Sequence, residues 1–153
     1  MVARFASVAE LESAVGREVL LTAWLRVSQE LITLFGEATD DLNWIHLDVE
    51  RARRASPYGG TIAHGWLTTM LCLRALLDGV EVAGQGLSPD AGLDRLRFMA
   101  PVRAGARVRV RLELAALRPC VAGREAVWKA TAEVEGSEKP ACVAEILTSV
   151  PAS

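Results

Sequence analysis

The feature that most constrains the fold is residues 61–77, a segment that is apolar nearly all round if it forms a helix. A helix of that kind belongs in a protein core, because it has no polar face for solvent. His64 and Arg74 interrupt its apolar run, which is also short for a membrane span. We therefore predict a central helix that the rest of the chain must cover.

The second half of the chain has the pattern of an antiparallel sheet that can cover this helix. In residues 107–114, apolar and charged side chains alternate, so that one strand face is apolar and the other is charged. Glycine and proline separate four such segments, 95–99, 107–114, 126–134 and 141–150. With a further strand over 19–27, the pattern predicts an α+β fold, a single domain in which an antiparallel sheet wraps around a long central helix.

Shorter helices and a loop are expected between these parts. Ser28 can cap a helix whose apolar residues have helical spacing, and residues 37–43 turn polar and predict a loop. Asp48 can cap a second, short helix that Pro57 stops.

Composition favours a folded, intracellular chain. The 153 residues suit one domain, 51% of them are hydrophobic, and the net charge of −2 gives no indication of nucleic acid or of an anionic membrane surface as a partner. The N-terminus lacks the features of a signal peptide. The three cysteines are an odd number without metal-type spacing, and Cys72 has the surroundings of a core residue. We predict a reduced cytoplasmic protein with no metal site.

Polar groups that can do chemistry are concentrated in residues 35–70. This stretch holds both histidines of the chain, His46 and His64, and the adjacent carboxylates Asp40 and Asp41. Carboxylate and imidazole groups can each transfer protons near neutral pH. Any catalytic site is therefore expected here.

Three motifs give the chain a family resemblance. They are DLNWIH at 41–46, GGTIAHG at 59–65 and RFMAPVRAG at 97–105. Together they resemble the MaoC-like dehydratases, hot-dog-fold proteins that include the (R)-specific enoyl-CoA hydratases, over about residues 18–150. Asp40 stands where the family often has glycine, and Trp44 stands where it often has proline, as in the NodN-like branch.

The resemblance implies reversible hydration of a 2-enoyl thioester to the (R)-3-hydroxyacyl thioester. Asp41 and His46 are then the acid-base pair that holds the water, and the Gly65 N–H stabilises charge on the thioester oxygen. The family uses no metal or redox cofactor, and its substrate is carried on coenzyme A or on the phosphopantetheine of an acyl carrier protein. It also implies a homodimer joined edge to edge, with no nucleic acid or membrane partner.

Other residues of the stretch have a substrate-binding and a structural interpretation. His64 fits a helix-entry or packing residue better than a base, Asn43 can hold the loop through its amide, and Cys72 fits the core. Trp44 and Trp66 can line an acyl tunnel or belong to the core. The proposed substrate-binding set is Asn43, Trp44, Tyr58, Gly60, His64 and Trp66.

Two groups of arginines and two other functions stay open. Arg51, Arg53 and Arg54 can meet the carrier's phosphates or form a solvated face, whereas residues 107–111 carry arginines that fit the solvent side of an edge or outer strand. The same fold also serves thioesterases and non-catalytic acyl-thioester binding proteins, which fold alone does not exclude.

Overall fold

The computed structural model of the chain describes residues 2–87, 92–121 and 123–150. Its helices are α1 (Val8–Ser13), α2 (Gln29–Thr39), α3 (Trp44–Leu47), α4 (Val49–Ala55) and α5 (Gly65–Gly79). Its strands are β1 (Ala3–Phe5), β2 (Glu18–Leu21), β3 (Leu25–Arg26), β4 (Val80–Val82), β5 (Gln85–Gly86), β6 (Leu93–Phe98), β7 (Arg107–Cys120), β8 (Gly123–Val134) and β9 (Cys142–Val150). Chain ends 1 and 153, the predicted domain limits, lie outside the described residues.

The main sheet is antiparallel and has the strand order β2-β7-β8-β9-β6, with β3 also paired to β7. A smaller sheet has the order β1-β4-β5, and β1 and β4 run parallel in it. None of the helices in the described ranges has the length and apolarity that a membrane-spanning helix needs.

Helix α5 is the central helix, and it packs against the apolar face of the main sheet. Leu67, Cys72 and Leu76 of this helix are buried, and so are the alternate residues 108, 110, 112 and 114 of β7. Trp128 of β8 is fully buried, and its indole N–H donates to the Thr148 hydroxyl at 2.9 Å. The predicted α+β fold, a sheet wrapped around a central helix, is confirmed.

The central helix begins later than predicted, at Gly65 instead of residue 61. The N–H of Ala63 donates to the Val102 carbonyl at 2.7 Å, and the N–H of Ala104 donates to the Thr61 carbonyl at 3.0 Å. Residues 61–64 are therefore extended, because residues 102–104 satisfy their backbone groups. Apolar composition alone does not distinguish such a segment from the first turn of a helix.

Other boundaries also differ from the prediction, and the strand predicted over 19–27 is two short strands, β2 and β3. Helix α2 continues to Thr39, through residues predicted as loop, and the predicted strand 107–114 extends to Cys120. The register with β8 shifts between Leu114 and Ala116, and Pro119 pairs close to the end of the β7–β8 hairpin. Beyond this shift, β7 continues to pair with β8 from Ala116 to Cys120.

The arginines of β7 lie on the solvent side of the sheet, as predicted, but β7 is not an edge strand. It pairs with β8 on one side and with β2 and β3 on the other. Its arginines form ion pairs on that face, namely Arg107 with Glu135, Arg109 with Glu133, and Arg111 with Glu133 and Glu18. These arginines are therefore committed to neighbouring strands.

Cys72 is a core residue, as predicted. It is fully buried on α5, and its Sγ lies 3.9 Å from the Sγ of Cys142 on β9. The hydrogen bond with Cys142 and burial raise the pKa of the Cys72 thiol well above its ordinary value. A thiol in this state is not a nucleophile.

Asp40 ends α2 in the left-handed conformation, with φ 56° and ψ 24°. Its N–H donates to the Gly36 carbonyl, so the residue closes the helix and reverses the chain before Asp41. Glycine is the usual residue at this position of a helix, because it has no Cβ to clash there.

We predict that Asp40→Gly is at least as stable as the natural chain, whereas Asp40→Ala is less stable than Asp40→Gly by about 1 kcal/mol. Alanine has the Cβ clash of the left-handed region and lacks the local hydrogen bonding of aspartate. Urea unfolding followed by circular dichroism measures the difference. Equal stability of the two variants would contradict the importance of this backbone conformation.

Candidate active site

The turn after α2 places Asp41 at the edge of the site. The Asp41 N–H donates to the Gly36 carbonyl at 3.0 Å, and its side chain is 54% exposed. A Cβ on Gly36 would lie 3.0 Å from the Asp41 carbonyl oxygen and 3.4 Å from Cε1 of His64. Glycine at this position lets the helix, the turn and His64 approach one another closely.

His46 lies on the short helix α3, where Asn43 is the N-cap and accepts the Ile45 N–H at 3.2 Å. Its Nδ1 lies 2.7 Å from the Ile62 carbonyl oxygen. A carbonyl oxygen only accepts, so Nδ1 carries the hydrogen of the neutral ring and Nε2 has the lone pair. This tautomer makes Nε2 of His46 a proton acceptor.

Backbone and side-chain hydrogen bonds hold His46 in place from two sides. The Ile62 N–H donates to the Ile45 carbonyl at 3.1 Å, which joins α3 to the extended segment 61–64. The Gln29 amide nitrogen donates to the His46 carbonyl at 2.8 Å, and the Gln29 amide oxygen accepts the Thr61 hydroxyl at 2.6 Å. Gln29 is a positioning residue that no sequence motif indicated.

His64 is buried, with 2% of its surface exposed, and is the N-cap residue of α5. Its ring stacks on His46 with 3.8 Å between centroids and contacts Phe35 on another side. Its Nε2 lies 3.1 Å from the Asp41 carbonyl oxygen, to which it donates, so Nδ1 has the lone pair. The predicted helix-entry and packing role agrees with this position, whereas the stacking on His46 had no signal in the sequence.

Asp41, His46 and His64 come together, as one potential ligand atom from each lies within 4.8 Å of the others. The Asp41 carboxylate lies 3.9 Å from Nε2 of His64. Two imidazoles and a carboxylate can hold a transition metal, and they can also hold and deprotonate a water molecule. The absence of a metal here stays a prediction.

An apolar cavity of about 370 Å³ lies beside this cluster. Its walls include His46, Gly65 and residues of β6 and of the segment that follows it. Gly65 is the first residue of α5, and the first N–H groups of a helix have no partner within it. A Cβ on Gly65 would lie 2.8 Å from the Phe98 ring, so only glycine fits without displacing that wall.

The structure does not bring the predicted substrate-binding residues to one place, and His64 is buried in the cluster described above. Tyr58 and Trp66 line the apolar cavity, whereas Asn43 caps α3 and Trp44 lies under the guanidinium of Arg51 at 4.3 Å. Gly60 faces a different, polar cavity. Sequence analysis missed the wall residues from the distant strand region, which are Phe98, Met99, Val102 and Ala141. The RFMAPVRAG motif contains three of them, Phe98, Met99 and Val102, and its match to the family was the available signal.

Comparison with known proteins identifies the family. The family model described as MaoC like domain matches residues 10–136. The chain is 45% identical over 142 residues to the 3-hydroxyacyl-thioester dehydratase Z of Mycobacterium tuberculosis, which covers 92% of this chain and 93% of that protein. It is 39% identical over 144 residues to nodulation protein N of Rhizobium leguminosarum bv. viciae, covering 93% and 89%.

Solved structures agree on the fold. The R-hydratase PhaJ1 of Pseudomonas aeruginosa, in its unliganded form, superposes with a TM-score of 0.76 and 23% identity, covering 97% of this chain and 88% of that one. The resemblance predicted from the three motifs is thus confirmed. The chain belongs to the family of MaoC-like domains and has their hot-dog fold.

Proposed function

We propose that the protein catalyses the reversible hydration of a 2-enoyl thioester to an (R)-3-hydroxyacyl thioester. The observation that carries this proposal is the cluster of Asp41, His46 and His64 beside an apolar cavity that both His46 and Gly65, the first residue of α5, line. The 45% identity to a 3-hydroxyacyl-thioester dehydratase supports the same reaction class.

In the hydration direction, a water molecule held between Asp41 and His46 attacks C3 of the enoyl group. Nε2 of His46 is the acceptor for the water proton, because Nδ1 is engaged with the Ile62 carbonyl. The C2–C3 double bond opens as the new C3–O bond forms, and negative charge develops on the thioester oxygen. One of the two acid-base groups then returns a proton to C2, and the reverse sequence is dehydration.

The N-terminus of α5 is suited to stabilise the enolate oxygen. Gly65 lines the cavity at the first position of α5, where the helix dipole favours negative charge. Glycine also permits close approach of the thioester to the backbone. Asp41 and His46 can carry out every proton transfer, and the substrate is neither oxidised nor reduced overall. We therefore propose a reaction that needs no metal or redox cofactor.

We also propose a homodimer that buries the apolar surface beside the site. Five large apolar side chains, Trp66, Met70, Leu93, Phe98 and Met99, are between 39% and 57% exposed on α5, on β6 and just after it. Strand β6 is the last strand of the main sheet and pairs only with β9 among the described residues. A second copy on this surface would cover it and close the open side of the cavity that Trp66 and Phe98 line.

The cytoplasmic location stays a prediction.

We predict that Asp41→Asn and His46→Ala each lower kcat for hydration by about 100-fold or more, because each removes an acid-base group. The assay follows the loss of enoyl absorbance with a panel of trans-2-enoyl-CoA esters, and circular dichroism checks that both variants fold. Asp40→Asn is the matched control. Asp40 closes helix α2, so we expect this substitution to leave kcat unchanged.

Either of two results would contradict the hydratase proposal and favour another function. Release of free coenzyme A thiol without loss of enoyl absorbance would indicate a thioesterase. Tight acyl-CoA binding without turnover in either direction would indicate a binding protein.

His64 is predicted to act by positioning Asp41 and His46. His64→Ala removes the hydrogen bond to the Asp41 carbonyl and the stack on His46, so we expect kcat to fall about tenfold or more. His64→Gln keeps an amide N–H near the place of Nε2 and is expected to recover part of that loss. If His64→Ala and His64→Gln both fold but are completely inactive, and His46→Ala is active, then His64 would instead be the base.

Met70→Glu is predicted to convert the dimer into a monomer of 16.5 kDa, because it places a charge in the proposed apolar interface. Leu34→Glu is the matched control, since Leu34 is 63% exposed on α2, away from this surface. Sedimentation equilibrium at micromolar concentration measures the mass. A monomeric natural chain, or an unchanged mass for Met70→Glu, would contradict the proposed interface.

A further inference from the structure

A second cavity of about 460 Å³ lies on the other side of the segment that carries Ile62. We name it the arginine cavity, because the side chains of Arg26, Arg53 and Arg103 line it. The start of α2 and the backbone of residues 59–61 complete its walls. Three elements distant in sequence therefore bring three guanidinium groups to one concave surface.

The positive charge of this cavity is only partly neutralised. Arg53 pairs with Glu50 at 2.9 Å, whereas within the described ranges no carboxylate oxygen lies within 4.0 Å of a nitrogen of Arg26 or Arg103. One Nη2 hydrogen of Arg103 is used by the Gly59 carbonyl at 2.8 Å, which orients the guanidinium and leaves its other donors available. Oriented guanidinium groups are the side chains best suited to bind phosphate.

The start of α2 adds to this positive potential. Ser28 is the N-cap of this eleven-residue helix, and Ser28 and Gln29 both line the arginine cavity. Glu30 also lines it and opposes an anion. The hydrogen bond from the Ser28 hydroxyl, and to a smaller extent the charge of Arg26, lower the pKa of the Glu30 carboxyl group, so Glu30 stays ionised. The cavity thus contains three cationic side chains, one anionic side chain and a helix N-terminus.

The arginine cavity and the catalytic cavity share a thin wall. Residues 59–61 face the first, whereas Tyr58 and Ile62, their immediate neighbours in the chain, face the second. Gln29 lines the arginine cavity, and its amide donates to the carbonyl of His46. The two cavities therefore adjoin the same short segment, as a ligand with an anionic group at one end and a reactive acyl group at the other requires.

We propose that the arginine cavity binds a phosphate of the thioester carrier, a group that coenzyme A and the phosphopantetheine of an acyl carrier protein have in common. Arg26 and Arg103 are the main ligands of this phosphate, and Arg53 assists them. Sequence analysis had instead considered the run Arg51, Arg53 and Arg54 for this role. Of that run, Arg51 is engaged with Trp44 and only Arg53 faces the cavity. The inference rests on the proposed thioester substrate.

The test compares three enoyl thioesters, those of coenzyme A, phosphopantetheine and pantetheine, with the double variant Arg26→Gln/Arg103→Gln. We expect KM for the coenzyme A ester to rise about tenfold or more with kcat unchanged, because charge-assisted hydrogen bonds to the ground state are lost. KM for the pantetheine ester, which has no phosphate, is expected to stay the same. Arg17→Gln is the control for the loss of an exposed positive charge elsewhere.

The two phosphorylated substrates distinguish the source of the phosphate. An equal rise in KM for both places the pantetheine phosphate in the arginine cavity, whereas a rise for the coenzyme A ester alone places an adenosine phosphate there. No rise for either substrate, or an equal rise for the pantetheine ester, would overturn the proposal.

Glu30 provides a test in the opposite direction. Glu30→Gln removes the negative charge that opposes the ligand, so we expect KM for the coenzyme A ester to fall. Calorimetric titration of free coenzyme A measures the same effects without turnover. Binding that weakens in the double variant supports the arginine cavity even if no hydration is found, and binding unchanged in both variants overturns it.

Discussion

Burial of α5 under the main sheet is the constraint on which the rest of the structure depends. Leaving Leu67 and Leu76 of this helix in water would cost about 1.5–3 kcal/mol each, whereas Arg74 and Asp78 form an exposed ion pair on it. The alternate residues of β7 up to Leu114, and those of β9, are buried because they cover this helix. Once α5 is fixed, its N-terminus is fixed too, and the polar groups of the site collect there.

The start of α5 connects the parts of the site that come from different segments. His64, buried at the N-cap, reaches the Asp41 carbonyl with Nε2 and stacks on His46. Gly65, the next residue, faces the cavity with its backbone. A shift of this helix end would therefore move the carboxylate turn, the imidazole and the backbone donor together. The proposed acid-base pair and the proposed charge-stabilising N–H are therefore held in one unit, as catalysis by preorganised groups requires.

Sequence analysis could predict the elements whose signal is local. The alternation in 107–114 and the apolar segment 61–77 predicted the sheet and its central helix, and the motifs located Asp41, His46 and Gly65. It could not place the start of α5, because the extended conformation of 61–64 depends on hydrogen bonds to residues 102–104. The same limit applies to Phe98 and Gln29. Their roles arise only when the strand after the site and the helix before it are brought against the same segment.

Segment 59–62 has opposite faces with different chemistry. On one side it adjoins an apolar space with His46 and the start of α5, and on the other it adjoins three arginines. Apolar walls suit an acyl chain and strengthen electrostatic interactions at the reacting atoms, whereas a phosphate must stay where cations and water can solvate it. A segment a few residues long can separate two such environments, because residues 59–61 line one cavity and the next residue, Ile62, lines the other. If the arginine cavity binds phosphate as we propose, the backbone pairing that delays α5 by four residues also separates the charged part of the ligand from the apolar cavity.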